Sequence, residues 1–235
     1  MTGQTVRVKW IAVLVVAMSA VTAAPAEAAA CEYGACYVHV GVISRASDDG
    51  AVARMTVERP GLGQTGFHSL AELSVGTITK SHSVEVGWTV DRRLNGDDDP
   101  HLFVFRWTGG PTCYNACGFT PAPGATAWPG MTLTPGTEIR VRISHIADRW
   151  AIFFNGEEFG SYPDHLWSAP WPERLIAHSF GEVASASSAG DVEMGGRISM
   201  RTFGRRAWCQ PASSTDPRYF AVPTGRCAMR YGGPV

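Results

Sequence analysis

The segment 84–90 constrains the fold most strongly, because its residues alternate strictly between large apolar side chains and polar or small ones. Successive side chains of a β-strand point to opposite faces, so this alternation predicts a half-buried strand. The face that we expect to point into a core carries Val84, Val86, Trp88 and Val90. The other face carries Glu85 beside Gly87, and a glycine within a strand often marks a close approach of another backbone. We expect that backbone to belong to a substrate.

Similar alternating runs, bounded by turn residues, recur along the chain. They are residues 37–44, 51–58, 67–75, 81–90, 101–107, 139–145, 175–183 and 192–200. Asn155-Gly156 separates two further runs, and this dipeptide favours the positive φ angles of a type I′ hairpin turn. About ten strands at such spacing predict an all-β protein, an antiparallel β-sandwich of two stacked, curved sheets. After Thr202 the periodicity disappears, so we expect a disulfide-stapled, irregular C-terminal segment.

Composition bounds the domain count and the partners. The 235-residue chain is 45% hydrophobic and 10% aromatic, which suffices for one large core, and no linker or internal repeat divides it. Its 21 acidic and 20 basic residues give a formal net charge of -1. Because such a chain has no strong overall field, nucleic acid is not expected as a partner. We expect a monomer that acts without a cofactor.

Residues 1–30 have the features of a secretory signal peptide. Arg7 and Lys9 form a basic start, residues 11–21 form an apolar stretch, and either Ala26-Glu27-Ala28 or Ala28-Ala29-Ala30 forms a small-residue cleavage site. The apolar stretch is too short to span a bilayer. We therefore expect a secreted protein that leaves the membrane after cleavage, with a single domain over residues 31–235.

Six cysteines fall into three pairs that are close in sequence. The pairs are Cys31 with Cys36, Cys113 with Cys117, and Cys209 with Cys227. In an exported protein such cysteines indicate a disulfide framework, and we predict these local pairings among the connectivities that the sequence leaves open. The histidines are scattered singly and none stands at zinc-finger spacing from a cysteine pair, so no metal is expected.

A second glutamate occurs in a setting similar to that of Glu85. Glu182 follows Gly181 within the apolar run from Phe180 to Val183. If the two strands are neighbours, the carboxylates face each other, and like charges at such a distance share one proton. A pair of this kind can activate water for attack on a carbonyl group. A single glutamate on a strand is more often a solvated surface residue, so the pairing is what favours catalysis.

At these residues the sequence resembles the neprosin family of secreted glutamic peptidases. The segment 84–88 is similar to the family's first glutamate motif, and Gly181-Glu182-Val183 is similar to its second, with Phe180 where a glycine is more usual. Further similarities follow in the same order at segments 100–103, 109–115, 150–163, 193–195 and 231–234. The resemblance implies a concave sheet that bears both glutamates, and a prolyl endopeptidase that cuts polypeptides in acid.

The resemblance and the acid–base chemistry together give the predicted site. The catalytic residues are Glu182 as the base and Glu85 as the acid, and the residues expected beside the substrate are Gly87, Gly181 and Phe180. The tryptophans considered for a proline-accepting pocket are Trp88, Trp107, Trp128 and Trp150. Of these, Trp88 is expected in the core, because it lies opposite Glu85 in the alternation.

Two other functions are compatible with two carboxylates on a β-sandwich. A secreted glycoside hydrolase also uses a carboxylate pair, with roughly 5 to 9.5 Å between the carboxyl groups. A non-catalytic module, either carbohydrate-binding or neprosin-like, would keep the sandwich without the activity.

Overall fold

The structure is a computed structural model. It describes residues 30–32, 34–47, 49–77, 81–110, 112–171, 175–186, 191–203, 208–210, 214 and 216–234. Apart from Ala30, the predicted signal peptide lies outside the described residues. Across these ranges, no helix has both the length and the apolar character needed to cross a membrane.

The described chain is almost entirely β-structure. Its strands are, in chain order, β1 (Ala30–Glu32), β2 (Ala35–Ser47), β3 (Gly50–Thr56), β4 (Gly66–Gly76), β5 (Ser83–Val90), β6 (His101–Trp107), β7 (Thr120–Pro121), β8 (Glu138–Ile146), β9 (Arg149–Phe154), β10 (Glu157–Pro163), β11 (Leu175–Ser185), β12 (Met194–Thr202), β13 (Trp208–Gln210), β14 (Phe220–Gly225) and β15 (Ala228–Gly233). The helices described are short, α1 (Arg92–Asn95) and a 3₁₀ turn (Asp164–Leu166).

The strands form two antiparallel sheets. The first sheet has the order β1-β2-β11-β4-β5-β6, and β13 also pairs with β2. The second sheet has the order β14-β15-β12-β3-β8-β9-β10-β7. Buried residues from both sheets form one continuous core, so the predicted antiparallel β-sandwich is confirmed.

The alternation in β5 produces the core face that the sequence predicts. All four apolar residues of that face have no exposed surface, and burying each valine stabilises the fold by roughly 1.5–3 kcal/mol. The indole Nε1–H of Trp88 donates a hydrogen bond to the backbone oxygen of Thr56, 2.8 Å away. The largest side chain of β5 thus has its one polar atom paired within the core.

Turn chemistry explains the hairpin between β9 and β10. Asn155 and Gly156 have φ angles of 50° and 100°, as a type I′ turn requires. The Asn155 side-chain oxygen also accepts a hydrogen bond from the backbone N–H of Arg140, 2.9 Å away. The hairpin is therefore tied to β8 as well as closed on itself.

The C-terminal segment is more regular than predicted. β13 pairs with β2 of the first sheet, while β14 and β15 extend the second sheet. Met229 and Tyr231 of β15 point into the core. The sequence did not predict this, because the apolar runs in this segment are short and are interrupted by Arg, Pro and Gly. All three predicted disulfides are present, and Cys209–Cys227 connects β13 with the turn that precedes β15.

Candidate active site

Three glutamates lie on the outer face of the first sheet, on three adjacent strands. They are Glu85 of β5, Glu72 of β4 and Glu182 of β11. Glu72 lies directly opposite Gly87 on one side and Phe180 on the other. Because side chains two residues apart on a strand share a face, the three carboxyl groups point to the same side of the sheet.

The strands of Glu85 and Glu182 are not neighbours, which corrects the premise that their carboxylates face each other directly. β4 lies between them, and the register separates the residues by two strands and four positions, roughly 16 Å between their Cα atoms along a flat sheet. Among the described residues, the hydrogen bonds of the two carboxylates go to different partners. Glu72, which the sequence analysis missed, occupies the position midway between them.

Glu182 is held between two histidines. His39 of β2 lies directly opposite, and its Nε2–H donates to Oε2 at 2.5 Å. His68 of β4 donates from Nε2 to Oε1 at 2.7 Å. Burial opposes ionisation of Glu182, but the charge and hydrogen bond of His39, followed by those of His68, hold its pKa well below the usual range. The Glu182 side chain is still 14% exposed, so this ionised carboxylate is open to water or substrate.

Glu85 is in the opposite protonation state. Burial raises its pKa to about 7, and the negative charge of Glu182 adds to this effect. Hydrogen bonds from Ser83, whose Oγ is 2.7 Å from Oε1, and from Ser74 offset only part of the shift. Below neutral pH, Glu85 is therefore a carboxylic acid while Glu182 is a carboxylate, and two such groups can divide the roles of acid and base.

Glu72 is the most buried of the three carboxyl groups, with 3% of its surface exposed. Its Oε1 has no hydrogen-bond partner among the residues that the structure describes. Burial raises the pKa of Glu72 well above its usual value, and the charges of Glu85 and Glu182 raise it further. In sequence, Glu72 lies within an apolar strand like the other two glutamates, but without a glycine beside it.

Two glycines predicted beside the substrate have structural explanations. A Cβ atom on Gly87 would lie 2.0 Å from the carbonyl oxygen of Ala71, so the backbone that approaches Gly87 is that of β4. A Cβ atom on Gly181 would lie 2.3 Å from the ring of Tyr231. Gly181 therefore faces the core, on the side of the sheet away from the glutamates.

Phe180 lies on the same face of the sheet as the three glutamates. Its ring centroid is 4.4 Å from that of His178 and 5.5 Å from that of His39. Gly41 lies directly opposite in β2, and a Cβ atom there would be 2.4 Å from the Cβ of Phe180. Because Gly41 has no side chain, the ring of Phe180 fits beside it. There the ring packs against His39, one of the two histidines that contact Glu182.

The disulfide loop after β6 brings a tyrosine over the same face. The ring centroid of Tyr114 is 5.4 Å from that of Phe103 and 4.7 Å from that of Phe105. Asn115 anchors the loop, because its backbone and side chain make two hydrogen bonds with the backbone of Val104. Burial raises the pKa of Tyr114 well above its usual value, and the three carboxylates add to the shift. Tyr114 is thus a neutral hydroxyl near all three, and the sequence analysis did not predict it.

The four tryptophans divide into two pairs. Trp88 and Trp150 are buried in the core, whereas Trp107 and Trp128 are 39% and 59% exposed. Trp107 lies directly opposite Ser83, whose hydroxyl group donates a hydrogen bond to Glu85. The ring centroid of Trp107 is 5.4 Å from that of Phe105. Trp107 therefore extends the row of aromatic side chains beside Glu85 to the surface.

Comparison with known families identifies the family of this chain. The profile of the Neprosin family matches residues 66–222, a span that contains all three glutamates. The chain belongs to the neprosin family. No curated protein matches the sequence. Within the described part of this neprosin, no group of three or more His, Cys, Asp or Glu side chains could hold a metal ion.

Solved structures show where this neprosin's fold recurs. Scytalido-glutamic peptidase, bound to a peptide-based transition-state analogue, has a TM-score of 0.52 and 14% identity, covering 82% of this chain and 96% of that chain. SCP-B, a member of the Eqolisin family of peptidases in complex with the tripeptide Ala-Ile-His, has a TM-score of 0.53 and 12% identity over the same shares. At such identities the likeness shows the fold, and together with family membership it supports a glutamic-type peptidase.

The buried carboxyl groups give the stability of this neprosin a pH dependence. A glutamate has a pKa near ~4.3 when unfolded, while Glu85 has a pKa of about 7 in the folded state. The folded state then binds more protons between these values, so its free energy of unfolding falls as pH rises from about 4 to 8, by about 3 kcal/mol from Glu85 alone. Glu72 acts in the same direction. Glu182 acts oppositely, because its lowered pKa adds stability that is fully present above the unfolded pKa and is lost progressively as pH falls from there to the lowered value.

Urea unfolding at a series of pH values measures this dependence. Glu85→Gln cannot titrate, so the fall in unfolding free energy should be shallower in this variant than in the unmodified protein. An unfolding free energy that rises from pH 4 to pH 8 would contradict the raised pKa values of Glu85 and Glu72.

Proposed function

We propose that this protein is a secreted glutamic endopeptidase that activates water with Glu182 and protonates the leaving group with Glu85. The observation that carries the proposal is that two carboxyl groups on one sheet face have opposite surroundings, one between two histidines and the other hydrogen-bonded to a serine hydroxyl. Glu182 is ionised between His39 and His68, and Glu85 keeps its proton up to about pH 7. The three disulfides fit a protein that works outside the cell.

The reaction follows from these two states. Glu182 accepts a proton from water while the water oxygen attacks the carbonyl carbon of the peptide bond. Glu85 donates a hydrogen bond to the oxyanion that develops, and then gives its proton to the leaving amine as the C–N bond breaks. The neutral hydroxyl of Tyr114 is a second donor for the oxyanion. Glu182 has then gained the proton that Glu85 has lost, and exchange with water restores both groups.

The proposed substrate preference is for proline before the cleaved bond. Members of the neprosin family are expected to cut after proline, and the aromatic row beside Glu85 offers an apolar surface for the pyrrolidine ring. That row consists of Phe105 and Trp107 of β6 with Tyr114 packed against it. Because Glu85 must hold its proton, cleavage is proposed to be fastest in acid and to decline as pH passes about 7.

Two peptides that differ only by proline or alanine at one position test this function. The purified secreted protein is incubated with each peptide between about pH 2 and 8, and products are identified by mass spectrometry. We expect cleavage after proline that declines above neutral pH. Equal cleavage of both peptides would contradict the proline preference but would still support peptide hydrolysis by the two glutamates. Hydrolysis of a polysaccharide without peptide cleavage would favour a glycoside hydrolase, and no hydrolysis of either would favour a non-catalytic module.

A further inference from the structure

The outer face of the second sheet concentrates positive charge. The four adjacent strands β15, β12, β3 and β8 carry six arginines, all on the side away from the core. We call this set the arginine face, and it consists of Arg54, Arg140, Arg142, Arg197, Arg201 and Arg230. Glu138 is the single acidic residue in the four strands. The formal net charge of -1 averages over the whole chain and hides this face.

Two pairs of arginines on this face lie opposite each other on neighbouring strands, so their charges repel. Arg54 lies directly opposite Arg140, and Arg197 lies directly opposite Arg230. Like charges directly opposite on neighbouring strands destabilise a sheet. Within the part of the chain that the structure describes, Arg54 is the one arginine of the face in an ion pair, with Glu138 at 2.7 Å. The repulsion between these arginines lowers the stability of the sheet when nothing is bound. A bound anion would neutralise this repulsion, which explains why the arginines lie together.

A shallow groove of about 310 Å³ runs across this face. Its floor includes Val52 and Ser199, and its walls include Arg54, Arg140 and Arg201. Adjacent strands are roughly 4.8 Å apart, and outward residues along one strand are roughly 6.6 Å apart. The register places the arginines in three rows across the strands, Arg230 with Arg197, Arg54 with Arg140, and Arg201 with Arg142 on either side of Val52. Each guanidinium group can bind a carboxylate or sulfate group with two parallel hydrogen bonds.

We propose that the arginine face binds an acidic polysaccharide, an extended chain that carries a carboxylate or sulfate at regular intervals. The face is formed by adjacent strands of one sheet, which present no helix or two-stranded ribbon that would enter the major groove of a nucleic acid. Its position on the second sheet leaves the glutamates of the first sheet open. A polysaccharide could thus hold the protein in place while the opposite face acts on its own substrate.

Binding to fluorescent heparin and polygalacturonate oligosaccharides, followed by anisotropy at several NaCl concentrations, tests this proposal. The variant is Arg54→Thr/Arg140→Thr, which keeps residues that favour strands. The matched control is Arg59→Thr/Arg93→Thr, which removes the same charge from outside the arginine face. We expect the first variant to bind about tenfold or more weakly with a shallower dependence on salt, and the control to bind within about twofold of the unmodified protein.

Two further measurements separate lost binding from lost structure. Removing a directly opposed pair of like charges should keep or raise the melting temperature of the Arg54→Thr/Arg140→Thr variant, and peptide cleavage by that variant should be unchanged. Equal affinity in the two double variants would show that the arginine face is a solvated surface. Tighter binding of duplex DNA than of either oligosaccharide at equal salt would overturn the assignment to a polysaccharide.

Discussion

Glu182→Gln is expected to lower kcat/KM for peptide cleavage by about 10²- to 10⁴-fold, the usual range for loss of a general base. The amide cannot take a proton from water. It also replaces the acceptor of two imidazole hydrogen bonds with a group that can accept through only one of its two terminal atoms. The loss should be seen at every pH, because the variant has no protonation state that restores the base.

Glu85→Gln should have a smaller effect on the rate and a larger effect on its pH dependence. The glutamine side chain still donates a hydrogen bond to an oxyanion, but it cannot protonate the leaving amine. In the unmodified protein, activity should decline as pH passes about 7, because Glu85 then loses its proton. In the variant this decline should disappear. The cleavage rate of the unmodified protein should therefore approach that of Glu85→Gln as pH rises.

Glu138→Gln is the matched control for both variants. It makes the same change at an exposed position of the second sheet, and its rates and pH profile should equal those of the unmodified protein. Circular dichroism spectra of all three variants verify that they fold. If Glu182→Gln folds and cleaves at the original rate, Glu182 is not part of the mechanism. If Glu85→Gln folds and cleaves at the original rate with the original pH profile, Glu85 is not part of it.

Period-two alternation predicted most of the sandwich because it reports directly on which face of a strand is buried. It placed Trp88 in the core and Glu85 outside, and the Asn155-Gly156 turn fixed one hairpin. The same signal does not encode strand order. The position of β4 between β5 and β11 therefore could not be predicted, although it decides how far Glu85 lies from Glu182.

Residues of the candidate site could be predicted only where the local sequence marked them. Glu85 and Glu182 stood beside glycines in apolar runs, but those glycines are needed for packing against Ala71 and Tyr231. His68 lies 114 residues from Glu182 in sequence, and its role appears only when β4 pairs with β11. Tyr114 reaches the site through a disulfide loop that has no periodicity to read. Long-range pairing, rather than local pattern, assembles the surroundings of the carboxyl groups.

Glu72→Leu is expected to stabilise the fold and to impair catalysis at the same time. A buried carboxyl oxygen without a partner costs about 1–3 kcal/mol, and leucine fills a similar volume with no such cost. The gain in unfolding free energy should grow from pH 4 to pH 8, because the raised pKa of Glu72 makes its ionisation in the folded state increasingly unfavourable. Activity should fall, since the polar group between Glu85 and Glu182 is lost.

Glu72→Gln separates the two effects. If Glu72 acts as a neutral acid on the floor of the site, glutamine supplies a similar neutral polar group, and cleavage in acid should stay within a few-fold of the original rate while Glu72→Leu falls by roughly 10²-fold. Urea unfolding and kcat/KM are measured for both variants at the same pH values. Equal loss of activity in both would mean that Glu72 acts in its ionised form. Full activity in Glu72→Leu would mean that the third carboxyl serves no part of the reaction, and that its unfavourable burial has a cause outside catalysis.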